Sequence, residues 1–334
     1  MGVRNMSVVI TGASSGIGRA TALAFAARGA AVTLASRRGG KLAALARECV
    51  ATGGQAQYVE TDVTDPAAMQ ALAAAARRRY GGIDVWVNNA GVGAVGRFTA
   101  TPVEAHDQVI RTNLMGYLHG AYAALPVFQQ QGRGVLVNVI SFGAYMGTPF
   151  AASYTASKFG LRGLSESLRA ELQGQPGIRI CDVHPGFVDT PGVRHAANYT
   201  GHELHPSPPD RPEDVADAIV RVARRPRDVT EVGALAKLAP AAYAAAPGLA
   251  RWAMERVLSF GLSRTPAQAP TAGALFEPMD DAAESSGGLA HGAERPDRAG
   301  GTGAGWGAGL GALLVAAAVL AFREMGGGTE KERG

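Results

Sequence analysis

The stretch TGASSGIG, Thr11 to Gly18, follows the apolar run Ser7-Val8-Val9-Ile10 and leads into Ile17 to Ala27, a stretch of helical character. A strand that becomes a helix through Gly12, Gly16 and Gly18 brings backbone N–H groups to a helix N-terminus with no side chains in the way. Peptide dipoles favour an anion there, and a dinucleotide pyrophosphate can approach the main chain. The spacing Gly12-x-x-x-Gly16-x-Gly18 differs from the G-x-G-x-x-G of the common dinucleotide fingerprint. The loop therefore points to a nucleotide through its position at the first strand–helix junction.

Outward from this loop the same alternation repeats. Ala31 to Ala35 precedes Lys41 to Ala51, and Gln57 to Val59 precedes Pro66 to Arg79. Val85-Trp86-Val87 leads into a helical region from Glu104 to Gln130. Gly134 to Ile140 precedes Tyr154 to Leu172, and Ile178 to Val183 closes the series. Strands alternating with helices predict an α/β fold, a doubly wound parallel sheet of Rossmann type with helices on both faces. Residues 187–212 hold five prolines and three histidines and read as a long irregular segment over the carboxyl end of the sheet. Pro212-Glu213-Asp214 starts a helix that runs to about Arg224, with acidic groups in the first turn where the dipole favours them. Glu231 to Leu238 is expected to hold a last short strand, and Ala239 to Phe260 a helix.

A single catalytic domain is thus expected over residues 1–260, with a helical C-terminal extension. Residues 261–304, rich in Pro, Gly, Ser and Ala, are expected to form a flexible linker. Residues 305–323, including WGAGLGALLVAAAVLAF from Trp306 to Phe322, carry no charge over nearly this whole span. They approach the ~20 residues that a transmembrane helix needs, so a membrane anchor is expected, followed by a short polar tail over 324–334. No apolar leader precedes the first strand, and a cytoplasmic catalytic domain held at a membrane is the expected location.

Composition narrows the partners. Of 334 residues 47% are hydrophobic, enough for a sizeable core, and the net charge of +4 is spread over pairs and triplets such as Arg37-Arg38 and Arg77-Arg78-Arg79. No basic stripe with interleaved aromatics is present, so nucleic acid is not an expected partner. Cys49 and Cys181 lie far apart and read as buried free thiols of a reducing compartment. His195, His202 and His205 lack metal-ligand spacing and read as loop residues, so no metal is expected.

Further motifs complete the pattern: NNAG (Asn88 to Gly91), Asn113 in RTNLMG, Ser141, YTASK (Tyr154 to Lys158) and HPGFVDT (His184 to Thr190). In this order, across roughly residues 7–235, they resemble the short-chain dehydrogenase/reductase family. The resemblance implies Asn113, Ser141, Tyr154 and Lys158 as the catalytic group. It also implies a nicotinamide dinucleotide held by Gly12, Ser14, Ser15, Gly16, Ile17 and Gly18. Asp62 and Val63 would contact the adenine, and Asn89, Ala90 and Gly91 would line the cleft. Pro185, Gly186, Val188 and Thr190 would lie beside the nicotinamide, whose ribose Tyr154 and Lys158 would reach. Homo-oligomers through the helices near 104–130 and 154–172 are implied as well.

Elementary chemistry agrees with these roles. Tyr154 and Lys158 are four apart and share a helix face, and an ammonium beside a phenol is expected to lower the phenol's pKa from its ordinary ~10. Ser141 would donate to an oxygen on which charge develops. The second strand ends at Ser36, where an acidic residue would repel a 2′-phosphate. Arg37 and Arg38 follow instead, and guanidinium groups suit a phosphate dianion, so NADP(H) is the expected cofactor. Val92, Val95, Phe98, Phe142, Tyr145, Met146, Phe150 and Phe187 are expected to wall the substrate pocket. The reading is NADP(H)-dependent reduction of a lipophilic carbonyl, or oxidation of the alcohol. The alternatives are a soluble 3-oxoacyl-thioester reductase and a non-catalytic NADP(H)-sensing membrane protein.

Overall fold

The computed structural model describes residues 2–204, 210–279 and 285. Strands and helices alternate along the chain: β1 Ser7–Thr11, α1 Gly16–Ala26, β2 Ala31–Ser36, α2 Gly39–Ala51, β3 Gln55–Glu60, α3 Pro66–Tyr80, β4 Val85–Asn88 and β5 Ala94–Val95. Then come α4 Val103–Ile110, α5 Gly116–Gln131, β6 Gly134–Val139, α6 Ala152–Glu171, β7 Ile178–Pro185, α7 Pro191–His195 and β8 Ala197–Asn198. The described chain continues through α8 Pro212–Arg224, β9 Val229–Val232, α9 Ala234–Ala245 and α10 Pro247–Leu262.

Seven strands form one sheet in the order β3-β2-β1-β4-β6-β7-β9, and every pairing in it is parallel. β1 is buried along its whole length, as an apolar run covered on both faces must be. On one face Phe25, Leu34, Leu42, Leu45 and Ile219 pack under α1, α2 and α8. On the other, Met69, Leu72, Trp86 and Phe128 pack under α3 and α5. Each such side chain contributes about 1.5–3 kcal/mol by leaving water. The strand order reverses between β1 and β4, and the crevice beyond their carboxyl ends is where an open α/β sheet takes its ligand.

Several boundaries differ from the sequence expectation. The helical region around 104–130 is interrupted by a π turn over Arg111–Met115. The helix expected over Ala239 to Phe260 is two helices, α9 and α10, parted where Ala246 precedes Pro247, because a residue before proline is pushed out of helical geometry. The last strand sits at Val229–Val232, earlier than Glu231 to Leu238.

The larger correction concerns 263–279, the part of the expected linker that follows α10. These residues form a strap across the carboxyl end of the sheet. Asn198 and Thr271 exchange backbone hydrogen bonds, Gln268 N–H donates to Gly201, and Ala274 N–H donates to His195. Leu275 is fully buried among Ala94, Ala105, Val109 and Ala197. Backbone pairing plus one apolar anchor holds a segment whose composition alone reads as unstructured. Among the described residues no helix is long and apolar enough to cross a membrane. The apolar run 305–323 lies outside the described residues, as do His205, the tail 324–334 and the linker beyond 279 apart from Ser285.

Candidate active site

The glycine loop is packed backbone to backbone against the end of β4. Gly12 and Gly16 have left-handed φ of 64° and 55°. A Cβ on Gly12 would stand 2.7 Å from Ala90 Cα, and one on Gly18 would run into the Gly12 carbonyl. Thr11 Oγ1 accepts from Asn89 N–H (3.0 Å) and Ala90 N–H (3.2 Å), while Asn89 Nδ2 donates to Thr11 O at 2.9 Å. These bonds clamp the NNAG turn to the loop. At the start of α1, Ser15 makes no side-chain cap, which leaves first-turn N–H groups for a ligand to satisfy.

Three polar side chains, Ser141, Tyr154 and Lys158, come together beyond β6, and Asn113 lies apart from them. Ser141 caps the short turn after the strand, its Oγ accepting from Gly143 N–H at 3.1 Å, and it stands near enough to the Tyr154 phenol to act on its titration. One helical turn along α6, the buried Lys158 has its Nζ 5.4 Å from the Tyr154 ring centre and donates to Val139 O at 3.3 Å. Asn113 sits in the π turn with both ends of its amide on the Val92 backbone, accepting at 2.8 Å and donating at 2.9 Å. It also donates to Ser157 Oγ at 3.3 Å.

Burial sets the electrostatics here. It brings the Lys158 amine down to about 7. It pushes the Tyr154 phenol above its ordinary value, with the Ser141 hydroxyl as counterweight. This corrects the expectation of a lowered phenol: both groups are withdrawn from water, and desolvation penalises phenolate and ammonium alike.

One residue that sequence reading passed over supports this corner. His184, in the buried end of β7, donates from Nδ1 to the Ser141 carbonyl at 2.9 Å, and burial holds it neutral by lowering its pKa to about 4. Its only sequence signal is its place in HPGFVDT. Behind α6 runs a buried chain of hydrogen bonds. Trp86 Nε1 donates to Asn88 Oδ1 (2.8 Å), Asn88 Nδ2 to Asn138 Oδ1 (3.0 Å), Asn138 Nδ2 to Ser165 Oγ (3.0 Å) and Ser165 Oγ to Asp182 Oδ1 (2.6 Å). Arg169 pairs with Asp182 at 2.8 Å. The chain ties α6, which carries Tyr154 and Lys158, to β4, β6 and β7.

A cavity of about 500 Å³ joins the glycine loop to Tyr154. Among the residues expected to hold a cofactor, all but Gly18 line it; Gly18 instead gives the close approach to Gly12. Ser141, Tyr154 and Lys158 line it, whereas Asn113 lies behind Val92. Of the expected substrate walls, Val92, Val95, Phe142, Phe150 and Phe187 are in place. Phe98, 64% exposed, stacks on His106 at the surface. Met146 is buried against α9 and α10, and Tyr145 packs on His184, so these three do not line the cavity. Sequence reading missed the walls given by Val257, Leu258 and Leu262 of α10 and by Ala274, Pro278 and Met279 of the strap.

The two arginines after β2 are already engaged. Arg37 donates from Nη1 to Phe276 O (2.5 Å) and from Nη2 to Ala274 O (3.2 Å). Arg38 donates to Ser14 Oγ at 2.9 Å, Ser15 Oγ at 2.7 Å and Met279 O at 3.3 Å. Asp62 caps its own turn, accepting from Thr64 N–H at 2.8 Å.

A doubly wound sheet thus carries a glycine cradle at its switch point, and a Ser-Tyr-Lys cluster lines the same cavity. The chain belongs to the short chain dehydrogenase family, which matches residues 6–199, and it is an oxidoreductase of that family. It is 35% identical over 265 residues to the uncharacterized oxidoreductase YxnA of Bacillus subtilis, covering 77% of this chain and 73% of that protein. It is also 35% identical over 252 residues to the probable oxidoreductase EphD of Mycobacterium tuberculosis, covering 71% of this chain but 41% of that one. Among solved structures, a short chain dehydrogenase/reductase from Burkholderia phymatum in complex with NAD superposes with a TM-score of 0.65 at 27% identity. That match covers 81% of this chain and 99% of the other. An alcohol dehydrogenase from Thermococcus sibiricus complexed with 5-hydroxy-NADP gives 0.60 at 27% identity, covering 69% and 95%.

Proposed function

We propose that the protein is an NADP(H)-dependent oxidoreductase that reduces an apolar ketone or aldehyde, or oxidises the corresponding alcohol. The observation that carries this reading is the placement of Ser141, Tyr154 and Lys158 on one wall of a cavity that continues into the glycine loop. The fit of a dinucleotide rests on the uncapped start of α1 and on glycines whose Cβ atoms would fill the cradle. When bound, the cofactor supplies or accepts the hydride.

The chain's own residues do the rest. The loop from Gly12 to Gly18 receives the pyrophosphate on backbone N–H groups. Tyr154, raised by burial, is a protonated acid at neutral pH and delivers its proton to the substrate oxygen. Ser141 donates a hydrogen bond to the same oxygen as charge builds on it. Lys158, at about 7, changes charge within the working range; as an ammonium it favours the phenolate that remains after proton transfer. Asn113 acts through position, fastening Val92 at the cavity wall. The apolar lining from Phe142, Phe187, Val257 and Leu258 favours a hydrophobic substrate.

Ser36, Arg37 and Arg38 support NADP(H) over NAD(H). A hydrogen bond to a charged group contributes about 1.5–3 kcal/mol, so kcat/KM with NADPH is expected to exceed that with NADH by at least about tenfold. Oxidation of each cofactor in the presence of a panel of medium- and long-chain ketones and aldehydes checks this. Turnover with neither cofactor would defeat the enzymatic reading, and a preference for NADH would defeat the choice of cofactor.

A further inference from the structure

The strap holds Arg37. Both terminal nitrogens of Arg37 donate to strap carbonyls, those of Phe276 and Ala274. Yet Arg37 follows Ser36 at the end of β2, beside the cavity where the adenosine end of a dinucleotide would lie. The same strap is bonded to the segment that closes the substrate end: Ala274 N–H donates to His195 O, and Thr271 exchanges backbone hydrogen bonds with Asn198.

We propose that the strap, residues 263–279, is a specificity element of the binding site: its carbonyls hold the guanidinium that a 2′-phosphate must capture, so the phosphorylated cofactor displaces the strap and the unphosphorylated one leaves it latched. A phosphate dianion is a stronger acceptor for a guanidinium than two neutral carbonyls. Once Arg37 turns to the phosphate, the strap keeps its bonds to residues 195–201, its Leu275 anchor and the bond from Arg38 to the Met279 carbonyl, but loses both bonds to Arg37. The substrate end of the cavity then responds to which dinucleotide is bound. Coupling of this kind is reciprocal: the factor by which the phosphorylated cofactor loosens the strap is the factor by which the latched strap weakens binding of that cofactor.

This inference rests on the proposed use of NADP(H). Hydrogen exchange of the full-length chain, read by mass spectrometry, tests it with saturating NADP+, with NAD+ and with neither; dinucleotide binding is followed separately by calorimetry. NADP+ is expected to speed exchange across 271–279 several-fold, while NAD+ leaves it at the level of the free protein. In Leu275→Ala, which weakens the strap's buried anchor without touching Arg37, NADP+ affinity is expected to rise several-fold and NAD+ affinity to stay unchanged. Binding of NADP+ with strap exchange unchanged or slowed would overturn the latch alone. An absence of NADP+ binding would overturn the cofactor reading and the latch with it.

Discussion

Tyr154→Phe is expected to lower kcat for carbonyl reduction by about 10²–10⁴-fold, the usual worth of a positioned general acid, while dinucleotide affinity stays within about threefold. The substitution removes one oxygen and keeps the ring, so α6 and the cavity wall should persist. Ser141 keeps its bond from Gly143 N–H and can still polarise a carbonyl, which leaves a residual rate.

The pH profile supplies a second readout. Burial raises the phenol's pKa, so the wild-type protein holds its acid form through neutral pH and loses reduction activity as pH rises through the raised value. Alcohol oxidation needs the phenolate and should climb over the same range. Both alkaline limbs should vanish in Tyr154→Phe. Steady-state rates in both directions, followed from neutral pH to beyond the ordinary phenol value of ~10, check this, and a variant with wild-type rates would remove Tyr154 from the chemistry.

Asp182→Ala is expected to cost about 3–5 kcal/mol of stability, the range for breaking a buried ion pair from one side. The Asp182 side chain is 1% exposed and that of Arg169 13%. Truncation would leave the Arg169 charge and the Ser165 hydroxyl facing a cavity. Burial, acting against Arg169 and the hydrogen bonds from Ser165 and Asn138, pushes the Asp182 carboxyl above its ordinary value. A carboxyl raised in the folded state destabilises the fold as pH climbs from the unfolded pKa through the raised one. The neutral amide in Asp182→Asn should therefore be tolerated better than alanine. Urea unfolding of the three proteins at pH 7 measures the order. Equal midpoints for wild type and Asp182→Ala would show that the buried chain from Trp86 to Arg169 does not hold α6 in place.

What the sequence makes legible is whatever chemistry demands at short range. The alternation of apolar runs and helical stretches requires a parallel sheet, and glycines at the first strand–helix junction require a close approach of backbone. Tyr154 and Lys158 share a face because of helical periodicity alone. What it hides depends on partners far along the chain. The strap has a linker's composition and owes its order to Asn198, His195 and the pocket for Leu275.

Nothing local to Arg37 announces that carbonyls more than two hundred residues away reach its guanidinium. The π turn that seats Asn113 leaves no periodicity to detect over a single turn. Phe98, Tyr145 and Met146 are apolar enough for a pocket wall, yet surface stacking, the His184 ring and the α9–α10 pair claim them. The direction of the Tyr154 shift follows from burial, which a four-residue spacing does not reveal.

A crystal structure of the protein soaked with NADP+ tests the assignment most directly. The pyrophosphate should lie on the start of α1. The nicotinamide should sit beside the segment from Pro185 to Thr190, with its reactive carbon facing the Tyr154 and Ser141 hydroxyls across the room a carbonyl carbon needs, about 3–3.5 Å from the hydride donor. A dinucleotide whose nicotinamide points out of the cavity, or whose phosphates lie away from Gly12 to Gly18, would contradict it.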